Sequence, residues 1–166
     1  MSNEPFPQRV QMLRDAWIER RQVKSFASAH DYESQYRLLL TLHEWATHAI
    51  EGIRAVYGEA VPIVLSPIPN EAAADRAFNV AVAGTYTVNF ALHERPRAGS
   101  SRWSIAASVI SNAPGGSVAA AGPERRNGQW TRSRLEDLLL SALGAYERAR
   151  SERETTVLGT GPALRH

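Results

Sequence analysis

His43, Glu44 and His48 are the residues whose types most invite chemistry, because two histidines around a glutamate on one helix can hold a catalytic zinc. The spacing defeats that reading. The second histidine follows at i+5, and at about 100° per residue the two rings stand roughly 140° apart around a helix, too far to converge on one ion. Glu44, His48 and Glu51, with Thr47 and Arg54 beside them, form a solvated polar face instead. His30, Asp31 and Glu33 fall at an expected helix start, where acidic side chains favour the helix dipole. His93 ends an expected strand beside Glu94. Were the chain an enzyme, its base would be His43, His48 or His93, in a pocket between helices and sheet.

Other chemistries lack their residues. The chain has no cysteine, which removes disulfides, thiolate nucleophiles and cysteine-ligated metals together. Its single lysine, Lys24, follows Val23 with no glycine-rich phosphate loop before it, and no serine sits in a G-x-S-x-G elbow. Gly159-Thr160-Gly161 follows no strand, so it is not a dinucleotide fingerprint. The expectation is a non-enzymatic protein with no catalytic residues, no metal site and no cofactor.

What the sequence does concentrate is arginine, with 18 against one lysine. Residues 91–135 hold Arg95, Arg97, Arg102, Arg125, Arg126, Arg132 and Arg134 against Glu94 and Glu124. Seven minus two gives +5 there and leaves −3 for the rest of a chain whose net charge is +2. Trp103 and Trp130 lie among these arginines. Guanidinium groups tracking phosphates beside rings that stack on bases are what a single-strand nucleic-acid binder uses. The candidate binding set for DNA, RNA or another anionic partner is therefore Arg95, Arg97, Arg102, Arg125, Arg126, Trp130, Arg132 and Arg134. The competing reading puts Trp103 in register with Ile105 and Val109 in the core, with the arginines decorating loops.

The elements that would position these residues follow from periodicity. Val10, Leu13 and Trp17 mark an amphipathic helix over residues 8–24, and Leu39, Leu42, Ala46, Ile50, Ile53 and Tyr57 mark a second one. Ser28 to Asp31 offer capping side chains between them, which predicts an N-terminal helical hairpin over 8–57, stopped by Gly58. An antiparallel β-meander of about four strands is expected over 61–130. Its strands are Val61 to Ser66, the run from Phe78 to Leu92, which fits either one long strand bent at Gly84 or two strands joined without a parity change and is read as the long bent strand, Trp103 to Ile110, and Ser117 to Ala121. Asn70 is placed to cap a short helical turn, and Pro96–Ser100, Pro114-Gly115-Gly116 and Asn127-Gly128 are expected turns. The box Ser133-Arg134-Leu135-Glu136 announces a C-terminal amphipathic helix over 133–153, striped by Leu135, Leu138, Leu139, Ala142, Leu143 and Tyr146 and packed on the sheet. The whole predicts one α+β domain over 1–154 and a flexible tail over 155–166.

One sheet face is unusual. Ala81, Ala83, Thr85, Thr87, Asn89 and Ala91, with Ser104, Ala106, Ser108 and Ile110, are small and uncharged, whereas a solvated strand face usually carries charge. A second subunit or the helices would cover such a face, which makes a homo-oligomer or a protein partner the primary expectation. The 43% hydrophobic and 22% charged composition of 166 residues supports one ordinary core. No apolar run approaches the roughly 20 residues of a membrane span, and Met1 to Pro7 do not resemble a secretory signal. No membrane contact and a cytoplasmic location are expected.

Overall fold

Between Pro7 and Gly52 the sequence contains neither proline nor glycine, and it forms one uninterrupted helix, α1 (Phe6–Tyr57), of 52 residues and about 78 Å. The computed structural model describes residues 5–97, 100–113, 118–121, 124–126 and 128–159. Pro5 precedes the first turn and Pro7 sits within it, where a missing N–H costs nothing. Gly58, at φ 58°, ends the helix by donating its N–H to the Arg54 carbonyl at 2.8 Å. The expected helical hairpin is thus corrected to a single rod. Ser28 and Asp31 do not break the helix, because their side chains turn outward to the sheet. Ser28 Oγ accepts the Ser101 N–H at 3.0 Å and Asp31 Oδ2 accepts that of Trp103 at 2.8 Å.

The sheet is an antiparallel meander of five strands in the order β1-β2-β3-β4-β5: β1 (Ile63–Leu65), β2 (Ala77–Val82), β3 (Tyr86–Arg97), β4 (Ser100–Ser111) and β5 (Val118–Ala121). The fifth strand arises because the stretch expected as one bent strand is a hairpin. Ala83 (φ 52°) and Gly84 (φ 65°) both adopt left-handed backbone, and Thr85 N–H closes the turn on Val82 O at 3.0 Å. Val82 faces Tyr86 and Phe78 faces Phe90, so a three-residue connection sets even positions opposite even ones. That is why the alternation survives the turn and imitates one long strand. Before β2, Asn70 caps a short 3-10 turn (Glu71–Ala73), its side chain accepting the Ala72 N–H.

The closing helix α2 (Arg132–Gly159) starts one residue earlier than expected, with a different cap. Thr131 Oγ1, not Ser133, accepts the Arg134 N–H at 3.2 Å, and Glu136 pairs with Arg132 rather than completing a box. The helix runs through residues 155–159 of the expected tail; residues 160–166 lie outside the described residues, as do 98–99, 114–117 and Asn127 in three of the expected turns.

Alternation decides where the core sits. Phe78, Val80, Val82, Val88, Phe90 and Leu92 are buried with Trp103, Ile105, Ala107 and Val109 of β4, and the register joins them (Val88 to Val109, Leu92 to Ile105). Against this face pack Leu39, Leu42, Ala46 and Ile50 of α1 and Leu135, Leu139, Ala142 and Leu143 of α2, in one hydrophobic cluster. Each buried Val, Leu, Ile or Phe among them contributes about 1.5–3 kcal/mol. The fold is α+β, with the helices packed against one face of an antiparallel sheet.

Candidate binding surfaces

The arginine-rich end of the sheet is mostly tied to the protein itself. β5 pairs with only the far half of β4, so β4 near Trp103 would show a bare edge. Arg126 and Asp31 close it. The Arg126 guanidinium binds both Asp31 oxygens, with the Nη1–Oδ2 contact at 3.1 Å, and donates to the Trp103 carbonyl at 2.9 Å. Asp31 in turn takes the Trp103 N–H. Burial alone would raise the Asp31 carboxyl, but the Arg126 hydrogen bond, the Trp103 N–H and the charges of Arg126 and Arg102 outweigh it and hold Asp31 below the ordinary carboxylate value. One residue earlier, Arg125 exchanges backbone hydrogen bonds with Ile105 at 2.9 and 2.8 Å and lays its guanidinium over the Trp130 ring at 5.4 Å.

The remaining members of the set scatter. Arg95 pairs with Glu124 at 2.7 Å and faces exposed Arg102 across the strands. Arg132 pairs with Glu136 at 3.3 Å, and Arg134 donates to the Gln129 carbonyl. Arg97 belongs to β3 opposite Ser100, and its side chain lies outside the described residues. Both tryptophans are core. Trp130, 4% exposed, packs beside Phe90 and donates Nε1–H to the Ile105 carbonyl at 3.3 Å. Trp103 meets Tyr32 edge-on at 4.8 Å.

The charge-poor face is the one opposite the helices, so α1 does not cover it. Its rows run Val64–Ala81–Thr87–Ile110 and Asn79–Asn89–Ser108, with Val64 and Asn79 exposed.

Sequence reasoning missed the position of the first third of α1. Every side chain from Phe6 to Gln22 is exposed, including the expected stripe of Val10 (50%), Leu13 (62%) and Trp17 (52%), which Phe6 (69%) extends by one turn. Among the described residues, Ser28 and Asp31 are the first of α1 to hydrogen-bond the sheet, so the N-terminal turns form an arm about 25 Å long beyond it. At about 100° per residue the four apolar positions fall within a stripe about 60° wide. Arg9 and Arg20 flank one side, Arg14 and Arg21 the other, and Asp15 and Glu19 lie opposite. The guanidinium groups of Arg9 and Arg20 lie over the Phe6 and Trp17 rings at 5.7 and 5.2 Å.

Among the described residues several concavities border the helices. A polar one of about 510 Å³ lies along α1, lined by His30, Glu33, Arg37, Thr41 and Trp45 and by Trp130 from across the fold. An apolar groove of about 510 Å³ runs between the C-terminal half of α1 and the start of α2, with Gly52, Ile53, Val56, Leu139, Leu140 and Leu143 in its walls. Val56 is 81% exposed and Leu140 56%. His48 sits on its rim with Glu51 at 3.7 Å. His43 faces the sheet, its Nε2 2.9 Å from the Ser66 carbonyl and its ring against Phe78, while His93 is exposed. Among the described residues no cluster of His, Asp or Glu is arranged to hold a metal ion, and no helix is long and apolar enough to cross a membrane. Comparisons with protein-family models, curated proteins and solved structures return no match.

Proposed function

We propose that this chain is a non-enzymatic assembly module that self-associates through its helices. The observation that carries this reading is the arm, whose apolar stripe of Phe6, Val10, Leu13 and Trp17 stands in solvent. Large apolar side chains aligned on one helix face favour burial by about 1–2 kcal/mol each, given that half or more of each surface is still wet. A rod that leaves its own core and keeps its apolar stripe is a docking element. The charge-poor part of the outer sheet face, whose rows end on Arg95 and Arg102, supports the same reading as a second, weaker surface, since interface centres are depleted of charge.

Sedimentation velocity over roughly 1–100 µM is the test, a range that covers dissociation constants typical of modest interfaces. The expected result is a mass rising to a multiple of 18.3 kDa with concentration, and Trp17→Glu staying at the monomer mass. A wild-type chain that stays monomeric throughout would remove the reading.

Nucleic-acid binding is a second reading, favoured by one observation: Arg95 and Arg102 face each other across the strands with exposed side chains. Its support is thinner, because the rings it would stack on are in the core. It requires affinity for a single-stranded oligonucleotide that falls steeply with salt and drops in the double variant Arg95→Glu, Arg102→Glu.

A further inference from the structure

We infer that the arm pairs with the arm of a second copy as an antiparallel two-helix seam, Phe6 of each copy against Trp17 of the other and Val10 against Leu13. The inference rests on the assembly reading above and adds which surface meets the stripe and in which orientation.

The side of the rod on which the stripe lies narrows the choice of partner. Trp17 stands 11 residues before Ser28 and 18 before Gln35, close to three and to five whole turns, so the three point the same way. Ser28 and Asp31 hydrogen-bond β4, and Gln35 is buried with Leu39 and Leu42. The stripe therefore continues the core-facing side of α1 past the end of the sheet. A broad flat partner laid on it would run into the sheet, whereas one helix, about 10 Å across, fits in the layer beyond the last strands. Two arms side by side in parallel would also drive both bodies into that layer at the same end. Antiparallel arms send the bodies to opposite ends.

The stripe is its own complement in that orientation. Phe6, Val10, Leu13 and Trp17 have the 4-3-4 spacing of a coiled-coil seam, and the spacing reads the same in both directions, so inversion about its centre matches every member to a member. Such a pairing closes on itself as a two-fold dimer. Charge favours the same choice. A parallel pair would set Arg9 of each copy against Arg14 of the other, while the inverted register brings Arg9 level with Ala16 and Arg14 level with Pro7. With half or more of each surface wet, the four side chains offer roughly 100 Å² apiece, about 800 Å² for two arms. The stems of Arg9 and Arg20, which already lie along the Phe6 and Trp17 rings, bring the total toward the roughly 1,000 Å² at which a weak specific interface begins.

The test uses the full chain. Over residues 6–22 each arm carries four arginines less Asp15 and Glu19, a net +2, so like charges border the seam. In sedimentation velocity the dimer is therefore expected to tighten by about threefold or more between roughly 0.05 and 0.5 M sodium chloride. Arg9→Gln with Arg14→Gln should tighten it likewise and flatten the salt dependence, and Trp17→Glu should weaken it by about tenfold or more, as loss of a central contact does. Because the chain has no cysteine, Gln22→Cys on the back of the arm can carry a single nitroxide. Double electron–electron resonance is expected to read about 30–40 Å between the two labels of an antiparallel pair, against about 20 Å for a parallel one. If Trp17→Glu dissociates the dimer but salt and the double glutamine variant loosen it, the arm is seated on an anionic surface of the second copy; the inference fails and the assembly reading stands. A label distance near 20 Å has the same consequence. If wild type is monomeric throughout, and the arm is protected only by phosphatidylglycerol vesicles or a single-stranded oligonucleotide, both fail.

Discussion

Removing the Asp31 carboxylate should unlatch α1 from the edge of β4. Asp31 accepts the Trp103 N–H at 2.8 Å and both arms of the Arg126 guanidinium, whose Nη1 also holds the Trp103 carbonyl. The ion pair is neither at the surface nor sealed, with side chains 27% and 19% exposed for Arg126 and Asp31. Exposed pairs contribute about 0–1 kcal/mol and breaking a sealed one costs about 3–5, so a value between the two applies. The orphaned Trp103 N–H adds to it, since a buried unpaired donor costs about 1–3 kcal/mol. Asp31→Ala should therefore destabilise by roughly 2–4 kcal/mol, and Asp31→Asn, which keeps an acceptor for Trp103, by about half that. Urea unfolding followed by far-ultraviolet circular dichroism at neutral pH, at concentrations where the chain is dilute, reads this as a midpoint shift of about 1–2 M for Asp31→Ala. A shift under about 0.3 M, or equal damage from Asn and Ala, would refute the division of roles between charge and N–H acceptor.

The same latch sets a pH dependence. Asp31 is held below its unfolded value, so its contribution is complete above the usual aspartate range and is lost as pH falls through the folded value. Stability of wild type should fall on acidification more steeply than that of Asp31→Asn, measured by urea midpoints between about pH 5 and 2.5. Among the described residues the buried Tyr36 hydroxyl has no hydrogen-bond partner, and burial, then Glu71, Tyr32 and Asp75 in turn, push its pKa upward. Tyr36→Phe should be neutral or stabilising by up to about 1 kcal/mol, since it removes an unsatisfied polar group; a loss of thermal stability would show a hidden partner. Ala83 adopts φ 52° in the β2–β3 turn, which costs a side-chain-bearing residue about 1–2 kcal/mol. Ala83→Gly should therefore raise the urea midpoint slightly after the added unfolded-state entropy is counted, and a lowered midpoint would contradict the turn geometry.

Much of the fold was legible because periodicity reports burial. The even-numbered run from Phe78 to Leu92 and the stripe from Leu135 to Tyr146 name the core faces of β2, β3 and α2. What periodicity cannot report is whether an apolar face meets anything. Val10, Leu13 and Trp17 have the same spacing as the buried Leu39, Leu42 and Ala46, and only the length of the sheet relative to α1 leaves them in solvent. At Gly84 alternation alone could not choose between a bent strand and two strands, because an odd connection preserves parity. Ser28 and Asp31 have the side chains of helix caps, which bind orphan N–H groups; they do so here, but the N–H groups belong to β4. The absence of any glycine or proline from 8 to 51 was the available sign that the helix continues. For the arginine set, sequence proximity to Trp103 and Trp130 suggested a shared surface, while Arg125 and Arg126 are engaged by Ile105, Trp130, Trp103 and Asp31.

Hydrogen exchange followed by mass spectrometry at low and high protein concentration tests the central claim most directly. An undocked arm has no tertiary packing to hold it, so its amides open readily, as helices without packed faces do. Peptides within residues 6–22 are expected to exchange fast in dilute solution and to gain protection with rising concentration, in step with the sedimentation mass. Arm peptides whose exchange does not change as the concentration rises would contradict it.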